Sequence, residues 1–132
     1  MTPTPCAPGD AEGRLAKAEQ FYSAAETVMA HAEEEADVGD VYVTLCVHAG
    51  IAAADAICCR ALRQHSQGSS HADAVALLKK VPKDGATLAT ALNRLLQNKT
   101  RAGYSATPVN ATMRRESWTA ATRLVVAARE RV

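Results

Sequence analysis

The chain has 132 residues, of which 48% are hydrophobic and 4% aromatic, and its formal net charge is +1. That length suits one domain with a core of its own, and no uninterrupted apolar run approaches the roughly 18 residues of a membrane span. The small net charge hides a split: residues 1–69 carry four bases (Arg14, Lys17, Arg60, Arg63) against ten acids, whereas residues 70–132 carry eleven bases against Asp73, Asp84, Glu116 and Glu130. Opposite ends of this kind favour packing of acidic on basic surfaces, within a fold or between subunits, or present a basic face to phosphate.

Residues 1–9 (Met1-Thr2-Pro3-Thr4-Pro5-Cys6-Ala7-Pro8-Gly9) lack the basic and apolar regions of a signal peptide and read as a flexible leader before a single domain over 10–132. Cys6, Cys46, Cys58 and Cys59 show no framework spacing, so a reducing cytoplasm is the expected compartment. The first helix runs from Asp10, as N-cap, to the acidic Glu33-Glu34-Glu35, with Leu15, Ala18, Tyr22, Ala25, Met29 and Ala32 in helical rhythm. Gly39-Asp40 breaks the chain and caps a second helix, Val41 to Gln64. Its stripe of Val43, Val47, Gly50, Ala54, Ile57 and Ala61 marks it as the central buried helix. A Ser/Gly loop, Ser66 to Ser70, precedes a short helix from His71 to Val81, capped by Ser69 or Ser70 and stopped at Pro82-Lys83-Asp84-Gly85. The next long helix, Ala86 to Arg101, sets Leu88, Leu92, Leu95 and Leu96 on one face. Thr107-Pro108 opens the last helix as N-cap and first helical residue, with Trp118, Ala121, Leu124, Val125 and Ala128 inward. The expected fold is all-α: an up-and-down four-helix bundle with an additional short helix.

Within the central helix His48 and Asp55 lie two turns apart on one face, in line with Leu45, Ala52 and Cys59. A carboxylate among alanines needs a cation or donors from another helix, and Lys99 and Arg101 are the candidates. Both a structural ion pair and a functional site fit Asp55. His71, at a helix start, is favoured as the neutral imidazole by the helix dipole, which suits hydrogen bonding or a base role. No Cys-x-x-Cys or His-x-x-x-His pair, Gly-rich phosphate loop or nucleophile elbow occurs, so neither a metal nor a cofactor is expected.

Four segments together carry a family resemblance: the helix Val47 to Ile57, the start Ser69-Ser70-His71, the run Gln97-Asn98-Lys99-Thr100-Arg101-Ala102-Gly103-Tyr104, and Trp118 to Val125. Over roughly residues 12–130 the chain resembles a HEPN domain, a length typical of one domain. The resemblance implies a helical bundle, commonly dimeric, among relatives that include metal-independent ribonucleases and toxin components paired with small nucleotidyltransferases. The ribonuclease signature in one common form is Arg-Asn-x-x-x-His-x-Tyr. Asn98 and Tyr104 match it, but Gln97 stands at the Arg position and Ala102 at the His position. RNA cleavage by 2′-OH attack needs a proton carrier and a cation at the phosphate, and neither residue supplies one. Ribonuclease activity is therefore not carried over. The expectation is binding of a nucleotide or RNA, or partnership with a nucleotidyltransferase-type protein, in a homodimer without membrane association. The site residues would be Asp55, His71, Asn98, Lys99, Arg101 and Tyr104, with Arg114 and Arg115 as a basic rim. Two alternatives stay open: a divergent ribonuclease using His71 with Lys99 or Arg101, and an oligomerising interaction protein with no small ligand.

Overall fold

Helix α2 (Gly39–Leu62) forms the centre of the molecule, with α1 (Asp10–Ala30), α4 (Gly85–Tyr104) and α5 (Ala111–Arg131) packed around it. The short α3 (His71–Lys79) lies mainly on α4. The computed structural model describes residues 3–66 and 70–132, so Ser69 and its role as a cap lie outside the described residues. Within them the fold is all-α, apart from a small antiparallel ribbon of β1 (Thr4–Pro5) and β2 (Gln64–His65).

Small residues set the packing. Ala11, Ala18 and Ala25, seven apart, are the buried residues of α1 and let it lie close against α2. On α2, fourteen residues are buried, including Val43, Cys46, Val47, Ala53, Ala56 and Ile57. By composition the stretch Glu35–Leu62 is long and apolar enough to cross a bilayer, although Asp40, His48 and Asp55 interrupt any continuous apolar run. Here most of its apolar side chains are covered by the rest of the fold, although Val41 is 55% exposed. Gly50 marks the closest approach: a Cβ there would collide with Leu95 Cδ1 and lie 3.2 Å from Leu124 Cδ1. Tyr22 and Trp118 stack at 4.4 Å, Tyr42 lies 5.9 Å from Trp118, and Arg129 sits over Tyr22 while pairing with Glu19 at 2.6 and 2.8 Å. This contact joins the acidic and basic halves of the chain.

Several boundaries differ from expectation for local reasons. Helix α1 stops at Ala30 because three carboxylates at a helix C-terminus oppose the dipole; the acidic run instead enters a 3-10 turn, Glu35–Val38. Helix α5 starts at Ala111, not at Pro108, because Asn110 is the cap: its Oδ1 accepts from Met113 N–H at 2.8 Å. Asp40 falls inside the first turn of α2 and accepts the Val109 N–H at 3.0 Å, tying that connection down. Asp10 is the first residue of α1 after Gly9, whose φ of 88° suits glycine. Ser70 does cap α3, accepting from Asp73 N–H at 3.2 Å.

The reading of residues 1–9 as a flexible leader does not describe Thr4 onwards. Thr4 and Pro5 pair with His65 and Gln64, Cys6 N–H donates to the Arg63 carbonyl at 3.0 Å, and Cys6 is disulfide-bonded to Cys59. Spacing gave no hint of this pair, because the two cysteines are 53 residues apart and meet only when the chain folds back across the end of α2. Cys46 and Cys58 are free and buried, and burial pushes both thiols up to about 12, which keeps them protonated.

Candidate functional site

A cavity of about 420 Å³ opens where α1, α2, α3, α4 and β2 meet. Each helix contributes one face at helical spacing: Ile51, Ala54, Asp55 and Cys58 from α2, Leu92, Leu96 and Lys99 from α4, and Ser70, His71, Ala74 and Leu77 from the α3 segment. Arg14 enters from α1, and His65 and Ser66 from the ribbon. The floor is aliphatic and the mouth polar, and among the described residues no Phe, Tyr or Trp lines it. The volume lies in the range of small-molecule sites.

Asp55 is the acid at the centre of this arrangement, and its partner is Arg14, whose Nη1 donates to Oδ2 at 3.0 Å. Neither Lys99 nor Arg101, the partners expected from sequence, makes that bond. Arg14 also reaches His65, with Nη2 at 3.1 Å from Nε2. Since arginine only donates, His65 Nε2 accepts and its Nδ1–H donates to the Ser66 carbonyl at 3.0 Å. Burial pushes the Asp55 carboxyl up to about 6 against the opposing pull of Arg14 and His65. With the Asp55 side chain only 18% exposed, desolvation outweighs a single well-placed cation.

Three of the six expected site residues therefore share one cavity: Asp55, His71 and Lys99. The other three do not, and the helix explains why. At about 100° per residue, Asn98, Lys99, Arg101 and Tyr104 fan around α4 and cannot share a face. Asn98 points into the α4–α5 interface, 7% exposed, and its Nδ2 donates to the buried Ser117 Oγ at 3.0 Å. Arg101 is exposed, its guanidinium 3.9 Å from Met113 Sδ. Tyr104, the last residue of α4, is 80% exposed. His48 is also exposed, lying against Phe21 at 5.3 Å rather than in the core with Asp55. Sequence reasoning missed Arg14 and His65. A signal for Arg14 existed: it sits three residues after Ala11 and four before Ala18, on the buried edge of α1.

No family model matches the chain, and no curated protein is detectably similar to it.

Proposed function

We propose that this protein is a HEPN-like, up-and-down helical bundle that binds a nucleotide or the phosphate of an RNA in the cavity between α1, α2, α3 and α4, without cleaving it. The observation that carries this reading is the convergence of Arg14, Lys99 and His71 on one cavity that also holds the carboxylate of Asp55. Three cationic or hydrogen-bonding groups at a polar mouth suit a phosphate. The aliphatic floor of Ile51, Leu92 and Leu96 suits the remainder of a nucleotide. Asn98 and Tyr104 support the family likeness as parts of α4 rather than as ligand contacts. Gln97 and Ala102 stand where the ribonuclease signature has its Arg and His, so cleavage is not part of the proposal. A homodimer, or a nucleotidyltransferase-type partner, is part of the same reading. The groove of about 520 Å³ between α4 and α5, where Arg94 pairs with Glu116 and Arg115 and Arg123 add positive charge, is a net basic surface suited to an acidic one.

The test is equilibrium binding of nucleoside mono- and triphosphates and of short single-stranded RNA at low salt, where phosphate contacts are strongest. Binding is expected to weaken about tenfold or more in Lys99→Ala and in His71→Ala, the loss of one charged or polar contact. Wild-type protein that binds none of these probes, or variants that bind equally well, would overturn the reading. RNA cut by the wild type and spared by His71→Ala would establish the ribonuclease alternative instead.

A further inference from the structure

The ribbon gathers a second set of side chains around His65. We propose that in the reduced protein Cys6, Cys59, His65 and Asp10 bind a zinc ion, at the position the disulfide holds when the protein is oxidised. One ligand atom each from Cys6, Asp10 and His65 lie within 4.8 Å of one another. The Cys59 sulfur, bonded to that of Cys6, is the fourth. These donors come from four separate places: the residue after β1, the first residue of α1, the last turns of α2, and β2. They are held in register by the Thr4–His65 and Pro5–Gln64 pairs and by the Cys6 N–H bond to the Arg63 carbonyl. Two thiolates, one imidazole and one carboxylate make a four-coordinate set of the kind zinc takes, and the thiolates select against magnesium and calcium.

Access and surroundings fit. A cavity of about 380 Å³ is lined by Cys6 and Cys59 together with Pro8, Gly9, Glu12, Arg60 and Arg63. Ligation through His65 Nε2 keeps the Nδ1–H bond to the Ser66 carbonyl, the usual outer partner of a metal-bound histidine, and leaves Arg14 paired with Asp55. Asp10 already accepts the Ala7 N–H on Oδ2 at 2.7 Å, which orients its carboxylate. The redox step needs a dithiol reductant. Its thiolate attacks one sulfur, the S–S bond breaks, and a second attack releases the reductant as its own disulfide, so two electrons and two protons end on Cys6 and Cys59. Zinc then displaces the two thiol protons to solvent. Either state ties the N-terminal strand to the end of α2. A cytoplasmic location makes the zinc state the resident one; an oxidising compartment makes it the disulfide.

The experiment loads the full chain, oxidised and reduced, with Zn²⁺ in competition with a chromophoric chelator, and with Co²⁺ as a spectroscopic probe. The expected result is one zinc per chain in the reduced protein and none in the oxidised. Cobalt should give the sulfur-to-metal charge-transfer bands and tetrahedral d–d bands of a thiolate site. His65→Ala and Asp10→Asn, which keep both cysteines and so can be purified with the disulfide intact, should weaken zinc by about tenfold or more, the scale on which even outer partners act. Cys46→Ser should bind as the wild type does. Reduced protein that takes up no zinc, uptake that survives in His65→Ala and Cys59→Ser, or uptake lost in Cys46→Ser would each overturn the proposal.

Discussion

Asp55→Asn tests whether the cavity's central ion pair costs the fold more than it returns. The Asp55 carboxyl is raised from its ordinary value of 3.8 to about 6, first by burial, with Arg14 and His65 pulling the other way. A carboxyl raised on folding stabilises the native state while it is protonated. That contribution is fully present below pH 3.8 and is lost as pH rises through about 6. A rise of this size corresponds to about 3 kcal/mol, of which about 2 kcal/mol falls between pH 4.5 and pH 7.5. Asparagine keeps the shape and cannot ionise. Against this stands the partner left behind: Arg14 is 29% exposed and can turn to water, a loss on the order of 1 kcal/mol. Urea unfolding of both proteins at the two pH values isolates the effect, because distant titrations cancel in the difference. Asp55→Asn should gain about 2 kcal/mol on the wild type between pH 4.5 and pH 7.5. Arg14, His65, His71, Lys99 and the Cys58 thiol face the same space, and the buried thiol stays protonated throughout. A difference that is flat with pH, or one that moves in the wild type's favour on raising pH, would show that Arg14 dominates and refute the reasoning.

Gly50→Ala places a methyl against Leu95 and Leu124, both fully buried, and overpacking there should exceed the gain in helix propensity. A net loss of about 1–2 kcal/mol is expected in thermal or urea unfolding, and an equally stable variant would mean that the two leucines repack freely. Reduction of Cys6–Cys59 without metal releases a closure of 53 residues. Chain entropy sets the loss at up to about 4 kcal/mol, read as the drop in urea midpoint of Cys59→Ser against the oxidised wild type. Ser117→Ala strands the Asn98 amide in the α4–α5 interface, where Ser117 is fully buried, and should cost about 1–3 kcal/mol. Denaturant unfolding that shows no change would place water in that contact.

The helices were legible because their signals are local. Alanine spacing, the leucine face of α4 and the glycine and proline breaks lie within a few residues of what they specify, and α1 to α5 fall close to their expected spans. Errors collected at the ends, where two local signals compete. Thr107-Pro108 and Asn110 both offer a cap, and asparagine prevailed. The acidic run after Ala30 suits a helix by propensity and opposes it by charge, and charge prevailed.

The site was less legible, because its key pairings are non-local. Lys99 and Arg101 are near enough in chain position to look equivalent, yet α4 turns them about 200° apart and only Lys99 meets the cavity. Arg14 and Asp55 are 41 residues apart, and nothing in either neighbourhood names the other. The same blindness hid the donor group on the ribbon. A search by spacing looks for ligands a few residues apart, as in zinc knuckles, whereas Cys6 and Asp10 meet Cys59 and His65 only because two-residue strands pair antiparallel beyond the end of α2. His65 belongs to both sites: its Nε2 accepts from Arg14, and one of its ring nitrogens lies within 4.8 Å of ligand atoms of Cys6 and Asp10. An imidazole with both nitrogens already engaged cannot serve a metal without releasing one partner. The partner it can release without stranding a buried charge is Arg14, which keeps Asp55.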